Sequence, residues 1–424
     1  MSDSSRALAR GFGWFWLRTR LGRFPLLFKH LGWWGALRYL LRRLSGRGRS
    51  AEATSVQPGN DVFAFYRFIT AAAPPQTPAG SIRKGTMNWV VPHFEIGSGG
   101  HTTAFRMIRH LERLGYTCRV VLTGPTSYTR SGEVRRLIRR HFMPLEAEVV
   151  LGESGLRPAE FTVATSWETA YPVRRFAATH HKLYFIQDFE PHFYAHGSSY
   201  AFAEATYRFG FTAITAGEWL ARLMRERYGL DAYPFGFSYD KASHRPLARQ
   251  ASGPRRVFFY ARNVTPRRGF ELGLLALGLV HERLPDVEFV LAGWDTSDYR
   301  IPFAHFSAGV VAPQRLVELY SQCDAGLVLS LTNLSLLPLE LMACGCPVVS
   351  NRGPNVEWQL QHETNALLAE TTPEALAAAL VRMLEDDDLR ARLRHNGLAF
   401  ARATDWETEA RRIHQHLQRI RAAA

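Results

Sequence analysis

From Thr86 onward short apolar runs alternate with longer amphipathic stretches, and the alternation is carried through twice. The first round opens with "MNWVVP", a strand-length apolar run, followed by the glycine-bearing turn "HFEIGSGGH". Ala104, Phe105, Met107, Ile108 and Leu111 then repeat at the 3.6-residue period of one helix face, and "TCRVVLTG" reads as the next strand. Further strands are expected at "FTVATS" (161–166), "KLYFIQ" (182–187) and "FTAITA" (211–216). The chain turns polar over "DKASHRPLARQASGPRR" (240–256), and a second round begins with "VFFYA" (257–261). A helix from Gly269, the strand "VEFVLAG" (287–293), the helix "APQRLVELYSQ" and the strand "AGLVLS" (325–330) continue it. A helix over Leu336–Ala343, the strand "PVVS" and two C-terminal helices complete it. Strand, turn, helix and strand in repetition demand parallel sheets covered on both faces. The fold class is therefore α/β, with two Rossmann-like doubly wound domains facing a cleft into which the carboxyl ends of the strands open.

The formal net charge of +14 belongs mostly to the beginning of the chain. Residues 1–50 hold eleven Lys/Arg against one acid, Asp3, so the remaining 374 residues carry only +4. Within residues 7–44 stand four of the ten tryptophans (Trp14, Trp16, Trp33, Trp34), interleaved with Arg18, Arg20, Arg23, Lys29, Arg38, Arg42 and Arg43. No apolar run there approaches the roughly 20 residues of a spanning helix, and arginines break any signal-peptide core. Rings and cations at this density suit a segment lying in the headgroup layer of an anionic membrane, and residues 1–50 are expected to be a basic aromatic membrane-surface segment. No nucleic-acid partner is expected, because nothing downstream resembles a base- or phosphate-reading module. Residues 51–85, rich in Ser, Pro, Gly and Ala, read as a linker. Four cysteines (Cys118, Cys323, Cys344, Cys346) make neither a disulfide scaffold nor a zinc site, and read as buried small residues.

Three constellations can carry chemistry. Gly97, Ser98, Gly99 and Gly100 lie where the first strand meets the first helix, where backbone N–H groups and the helix dipole can receive an anion. In "YARNVTPRRGF", Arg262 ends a strand, while Arg267 and Arg268 precede the helix opened by Gly269. Guanidinium groups so placed can hold a diphosphate bidentately. The third is "SLLPLELMACGCPVVSN", an apolar run with one carboxylate, Glu340, in a helix at the cleft. A charge in such surroundings needs a partner, and sugar hydroxyls, those of a ribose above all, can supply it. His101, Glu168, Asp188 and Glu190 are candidates for aligning an acceptor hydroxyl. No Asp-x-Asp stands near a strand end to bind a metal, and the acidic run "EDDD" (385–388) reads as solvated surface.

"LPLELMACGCPVVSN" resembles the nucleotide-sugar signature of the GT-B glycosyltransferases of family 4 type, in which a carboxylate ahead of "MACGxPVV" binds the nucleotide ribose. "ARNVTPRRG" resembles the "GR…KG" segment of that family, which implies that Arg262 and Arg268 grip the pyrophosphate. "IGSGGH" is similar to its glycine loop, which assigns Gly99 and Gly100 to the donor. "ATDWETEARRI" looks like the start of its last helix, which crosses back to the first domain. "YFIQDFEPHFYAHGSSYAFAEATY" and "LTNLSLLPLE" resemble most the S-layer-glycan rhamnosyltransferases of WsaF type.

The resemblance implies an N-terminal acceptor domain at 86–245, a C-terminal donor domain at 254–403 and a returning helix at 404–424. It also implies metal-independent transfer of a sugar, with dTDP-rhamnose the favoured donor and no other cofactor. The acceptor is then a lipid-linked or cell-surface glycan, and the place of work the inner face of the cell membrane, where the protein is peripheral on the cytoplasmic side. One departure stands out: eight residues before Glu340, where that family usually has a second acid, this chain has Thr332. The work of that acid would fall to Thr332, Asn333 or backbone groups, with Asp188 and His101 facing the acceptor. A UDP- or GDP-sugar donor, and a binding protein without turnover, remain the alternatives.

Overall fold

In the computed structural model the described residues are 61–72, 82–249 and 253–423. The basic aromatic segment expected over 7–44 lies outside them. The first sheet has seven parallel strands, β1 (Thr86–Val91), β2 (Thr117–Leu122), β3 (Glu148–Leu151), β4 (Ala159–Ala164), β5 (Thr179–Ile186), β6 (Thr212–Ala216) and β7 (Ala232–Phe235). They are ordered β3-β2-β1-β4-β5-β6-β7. The second has six, β8 (Arg256–Tyr260), β9 (Glu288–Ala292), β10 (His305–Gly309), β11 (Ala325–Val328), β12 (Val348–Asn351) and β13 (Leu367–Ala369), ordered β10-β9-β8-β11-β12-β13. Both orders reverse direction beside the first strand, between β1 and β4 and between β8 and β11. At such a switch point adjacent helices leave on opposite faces and open a crevice at the strand ends.

The central strands are apolar on both faces, as buried parallel strands must be; Trp89, Val90 and Val91 of β1 and Val257, Phe258 and Phe259 of β8 are almost wholly withdrawn from solvent. Helix Phe270–Arg283 lies so close to β8 that a Cβ on Gly273 would stand 2.1 Å from Phe259 Cζ. The short outer strands β3, β7, β10 and β13 fall outside the nine strands read from the sequence. They are three to five residues long, too short for periodicity to register, and β7 contains Pro234, which an edge strand tolerates.

Two further features bind the parts together. Residues 61–72, linker-like in composition, form two single-turn helices whose Tyr66, Phe68 and Ile69 pack on Trp167 and Tyr171. The C-terminal helix Trp406–Ala422 returns to the first sheet. There Arg421 pairs bidentately with Glu160 (2.5 and 2.9 Å), Tyr116 hydrogen-bonds His414 (3.1 Å), and Gly236 N–H donates to Glu409 (2.5 Å). Glu160 is 4 % exposed. Burial raises its pKa, but the Arg421 guanidinium and the Gly85 N–H (2.5 Å) outweigh this and leave it below the ordinary carboxylate value.

Candidate functional site

The switch point of the second sheet brings the segment after β8 against the segment after β11. Arg268 Nη1 donates to Ser330 Oγ (2.5 Å) and to the Asn333 carbonyl (3.0 Å). Asn351, at the end of β12, fixes that loop from beneath: its Oδ1 accepts Ser330 N–H (2.8 Å) and its Nδ2 donates to Ser330 O (3.0 Å). Gly269 takes φ +60 to turn the chain from these arginines into the next helix, a left-handed conformation suited to glycine. Arg267 lays its guanidinium 4.0 Å from the Phe193 ring centroid of the first domain. Nε of Arg262 and Nε of Arg267 are buried without a hydrogen-bond partner. Burial lowers the pKa of Arg267, and that of Arg268 to about 10, while Asp188 pulls both back up. Both remain cations at neutral pH.

Asp188 follows β5 and is the carboxylate that ion-pairs with these cations, 3.5 Å from Arg267 Nε and 3.9 Å from Arg268 Nη2. It is also a bridge between the two domains. Its Oδ1 accepts Phe189 N–H (2.9 Å) and Asn333 N–H (2.7 Å), and its Oδ2 accepts the Thr332 hydroxyl (3.0 Å). Asn333 adds two bonds from its Nδ2, to Gln187 O (2.9 Å) and Ala216 O (2.8 Å), and accepts Trp358 Nε1–H at 3.0 Å. Gly217 makes this approach possible, since a Cβ there would lie 2.6 Å from the Trp358 ring.

On the first-domain wall, helix Gly99–Arg113 begins without a side-chain cap. The Ser98 hydroxyl is held instead by His101 Nδ1 (2.7 Å), so the first-turn N–H groups keep no side-chain acceptor. A Cβ on Gly99 would meet open space, while Gly100 accepts a bond from Gln187 Nε2 (3.0 Å), the residue before Asp188. Burial, then the neighbouring His93, lowers the pKa of His101 to about 4, so its imidazole is neutral at physiological pH. Glu190 is buried, accepts Trp167 N–H (2.6 Å), and is pushed well up by burial and by Glu168. Glu168 is raised by burial, in the first turn of helix Trp167–Arg175.

Glu340 occupies helix Leu337–Ala343, where Pro338 fills the first turn at no cost in hydrogen bonds. Its carboxylate is hydrogen-bonded by Tyr320 and lies within electrostatic reach of His244, Arg106 and Asp240. Burial raises its pKa, with His244 and Arg106 opposing. The structure thus joins Asp188, Thr332, Asn333 and Arg268 directly, with Gly100 one residue away through Gln187 and Arg262 within electrostatic reach of Arg268. Glu340 belongs to a separate group with Tyr320, His244 and Asp240. Sequence reading missed Ser330, Phe193, Gln187 and Arg106, each of which meets a partner distant in the chain: Arg268, Arg267, Gly100 and Trp406 respectively.

Residues 152–216 match the WsaF N-terminal domain and residues 255–381 the WsaF C-terminal domain. Over 263 residues the chain is 39% identical to the O-antigen biosynthesis protein RfbC of Myxococcus xanthus, covering 61% of this chain and 21% of that protein. Over 221 residues it is 28% identical to the phosphatidyl-myo-inositol mannosyltransferase of Mycobacterium tuberculosis, covering 47% of this chain and 57% of the relative. The chain therefore spans about a fifth of the first relative and little more than half of the second. Among solved structures, sucrose-phosphate synthase of Thermosynechococcus elongatus superimposes with a TM-score of 0.62 at 15% identity, over 80% of this chain and all of that one. Anabaena HepE in complex with UDP-glucose gives 0.60 at 16% (78% and 99% covered). The lipopolysaccharide glycosyltransferase WaaG gives 0.55 at 14% (77% and 98%). At these identities the likeness is one of fold, and the fold is GT-B.

Proposed function

We propose that this chain, of GT-B fold and WsaF type, is a glycosyltransferase that moves a sugar from a nucleoside diphosphate to a glycan hydroxyl. The observation that carries the reading is the guanidinium cluster Arg262, Arg267 and Arg268, compensated by one carboxylate, at a strand-end switch point. Three guanidinium groups set against one carboxylate leave positive charge in excess, which suits a diphosphate. Transfer makes the anomeric carbon positive while the leaving diphosphate gains negative charge. Arginines and helix N–H groups fixed beforehand stabilise that charge without reorganising, so the reaction needs no metal ion in this reading.

Glu340 accepts the ribose hydroxyls, Gly99 and Gly100 offer N–H groups to the phosphate or sugar, and His101 and Asp188 stand on the acceptor side. The donor favoured is dTDP-rhamnose, and the acceptor a lipid-linked or cell-surface glycan. The likeness to an O-antigen biosynthesis protein and to a phosphatidyl-myo-inositol mannosyltransferase supports an acceptor of that class. No helix among the described residues is long and apolar enough to cross a membrane; in this reading the protein works peripherally on the cytoplasmic face, through residues 7–44.

A thermal-shift panel of dTDP, UDP, GDP and their sugars tests the donor class, because a ligand that binds the native state raises its melting temperature. One nucleotide should stand out, and its sugar should be transferred or hydrolysed on incubation. Binding without either outcome would leave a nucleotide-sugar binding protein, and no shift with any nucleotide would end the reading. Glu340→Ala should weaken the nucleotide by about 1.5–3 kcal/mol, the worth of a charged hydrogen bond. Flotation with anionic liposomes should be lost on deleting residues 1–50; equal flotation of both proteins would remove the membrane role.

A further inference from the structure

The stretch from Gln187 to Tyr200 begins inside the site and leads out of it. Gln187 reaches Gly100 of the glycine loop, Asp188 meets Arg267 and Arg268, and Phe193 lies beneath the Arg267 guanidinium, 4.0 Å from its own ring centroid. The turn Glu190–Phe193 is anchored from below. Glu190 Oε2 accepts Trp167 N–H (2.6 Å), Glu190 N–H donates to Tyr207 Oη (3.1 Å), and Tyr194 Oη accepts Trp167 Nε1–H (2.9 Å). From these anchors the chain carries three further rings outward: His192, His196 and Tyr200.

The His196 ring centroid stands 4.7 Å from that of Tyr200, tilted by 34°, and that of His192 stands 6.4 Å from it, tilted by 35°. His192 also meets Phe189 edge to face at 4.6 Å. Both imidazoles are exposed and Tyr200 is half-buried. Among the described residues neither imidazole makes a side-chain hydrogen bond or an ion pair. Rings gathered at the surface with polar atoms unspent make a binding surface of mixed character. A pyranose has the matching shape: its C–H groups collect on one face, and its hydroxyls radiate from the edge. Ring faces suit the first, and imidazole nitrogens, one donor and one acceptor when neutral, suit the second.

The cluster belongs wholly to the first domain, whereas the arginines and Glu340 belong to the second. Phe193 joins the two by touching Arg267. Residues 61–72 dock on helix Ser198–Ala205, which carries Tyr200: Tyr66 Oη lies 3.4 Å from Ser199 Oγ, and its ring 5.3 Å from that of Phe202. The chain therefore leaves towards residues 7–44 from beside the rings. We propose that His192, His196 and Tyr200 form the acceptor subsite. A pyranose of the glycan packs its C–H face on them, and its reactive hydroxyl reaches past Phe193 towards the sugar held at the arginines. The proposal rests on the transferase reading given above and adds the place where the acceptor binds.

Saturation-transfer NMR tests the binding without any donor, using octyl α-rhamnopyranoside, octyl α-mannopyranoside and octyl β-glucopyranoside, each below its micelle concentration. In wild type the ring protons of at least one sugar should be saturated as strongly as those of the octyl chain. Affinity for that glycoside, titrated by the same signal, should fall about tenfold in His196→Ala and in Tyr200→Ala, and Tyr200→Phe should keep most of it. With the donor selected by the thermal-shift panel, transfer to the glycoside should fall in the same proportion through its KM. Donor hydrolysis and nucleotide affinity should change less than twofold. In transfer and in hydrolysis alike the sugar–phosphate bond breaks and the diphosphate leaves; only the oxygen that takes the sugar differs, so their ratio isolates the acceptor.

Ring signals that survive both alanine variants, or saturation confined to the octyl chain in wild type, would overturn the proposal. So would an equal loss of transfer and hydrolysis with a lower melting temperature, the mark of a structural role. His192→Ala, at an exposed side chain, repeats the test without burdening the fold. A wild type that binds a glycoside through these rings yet cleaves no donor would leave the subsite standing and bring down the transferase reading.

Discussion

Replacing Asp188 with alanine should make the free protein less stable and its response to nucleotide larger. The carboxylate accepts three hydrogen bonds, two of them across the domain interface, from Asn333 N–H at 2.7 Å and Thr332 Oγ at 3.0 Å. It is also the acid within 4 Å of Arg267 and Arg268. Hydrogen bonds to a charged group are each worth about 1.5–3 kcal/mol, but the Asn333 N–H and the Thr332 hydroxyl regain part of this from water that enters the gap. The guanidinium pairs, at 3.5 and 3.9 Å and partly solvated, add less than a fully buried pair would.

A net loss of about 2–3 kcal/mol follows, or roughly 4–10 °C in melting temperature for a domain of ordinary size. The same change leaves Arg267 and Arg268 without their internal anion. A diphosphate then no longer competes with Asp188 for the guanidiniums. The melting-temperature rise at saturating UDP or dTDP should therefore exceed that of wild type by several degrees, while transfer is impaired because the bonds from Thr332 and Asn333 that join the two domains at Asp188 are lost. Differential scanning fluorimetry with and without nucleotide, at matched protein concentration, measures both numbers. A variant that melts with wild type and shifts by no more with nucleotide would refute the assignment of Asp188 as both bridge and internal anion.

Glu160→Gln should cost about 3 kcal/mol by breaking its buried pair with Arg421, measured by urea unfolding at pH 7. Because the folded pKa of Glu160 lies below its unfolded value, this contribution is complete above the unfolded pKa and vanishes as pH falls through the folded one, so wild type and variant should converge in acid. Gly273→Ala should destabilise by about 1–3 kcal/mol, since its Cβ would stand 2.1 Å from Phe259 Cζ, and thermal melting would show it. His101 should show no change in its imidazole NMR shifts between pH 5.5 and 8, given a pKa near 4; a titration midpoint above 6 would contradict its burial. All four cysteines are free and buried, with burial raising their pKa, so a disulfide reagent at pH 8 should react with the native protein far more slowly than with the unfolded one.

The two-sheet architecture was legible because long central strands are apolar throughout and the helices between them are periodic; these are local properties, written in consecutive residues. Helix Leu337–Ala343 with its lone Glu340, and the arginines after β8, were legible for the same reason, each being confined to one short stretch. The strands β3, β7, β10 and β13 were not, because three to five residues at a sheet edge hold too little pattern. The docking of residues 61–72 was also invisible, since its apolar side chains acquire meaning only against Trp167 and Tyr171.

The candidate site divides along the same line. Which residue types stand at the ends of the strands is a matter of sequence, and so is the threonine at 332. That the Thr332 hydroxyl and the Asn333 amide close on Asp188, across 144 and 145 residues of chain, was decided by tertiary structure alone. The same is true of Arg106, whose guanidinium the returning helix meets with the Trp406 ring. The physical reason is that sequence patterns report burial and periodicity within one element, whereas a countercharge is chosen by whichever carboxylate the packing of two sheets brings within a few ångströms.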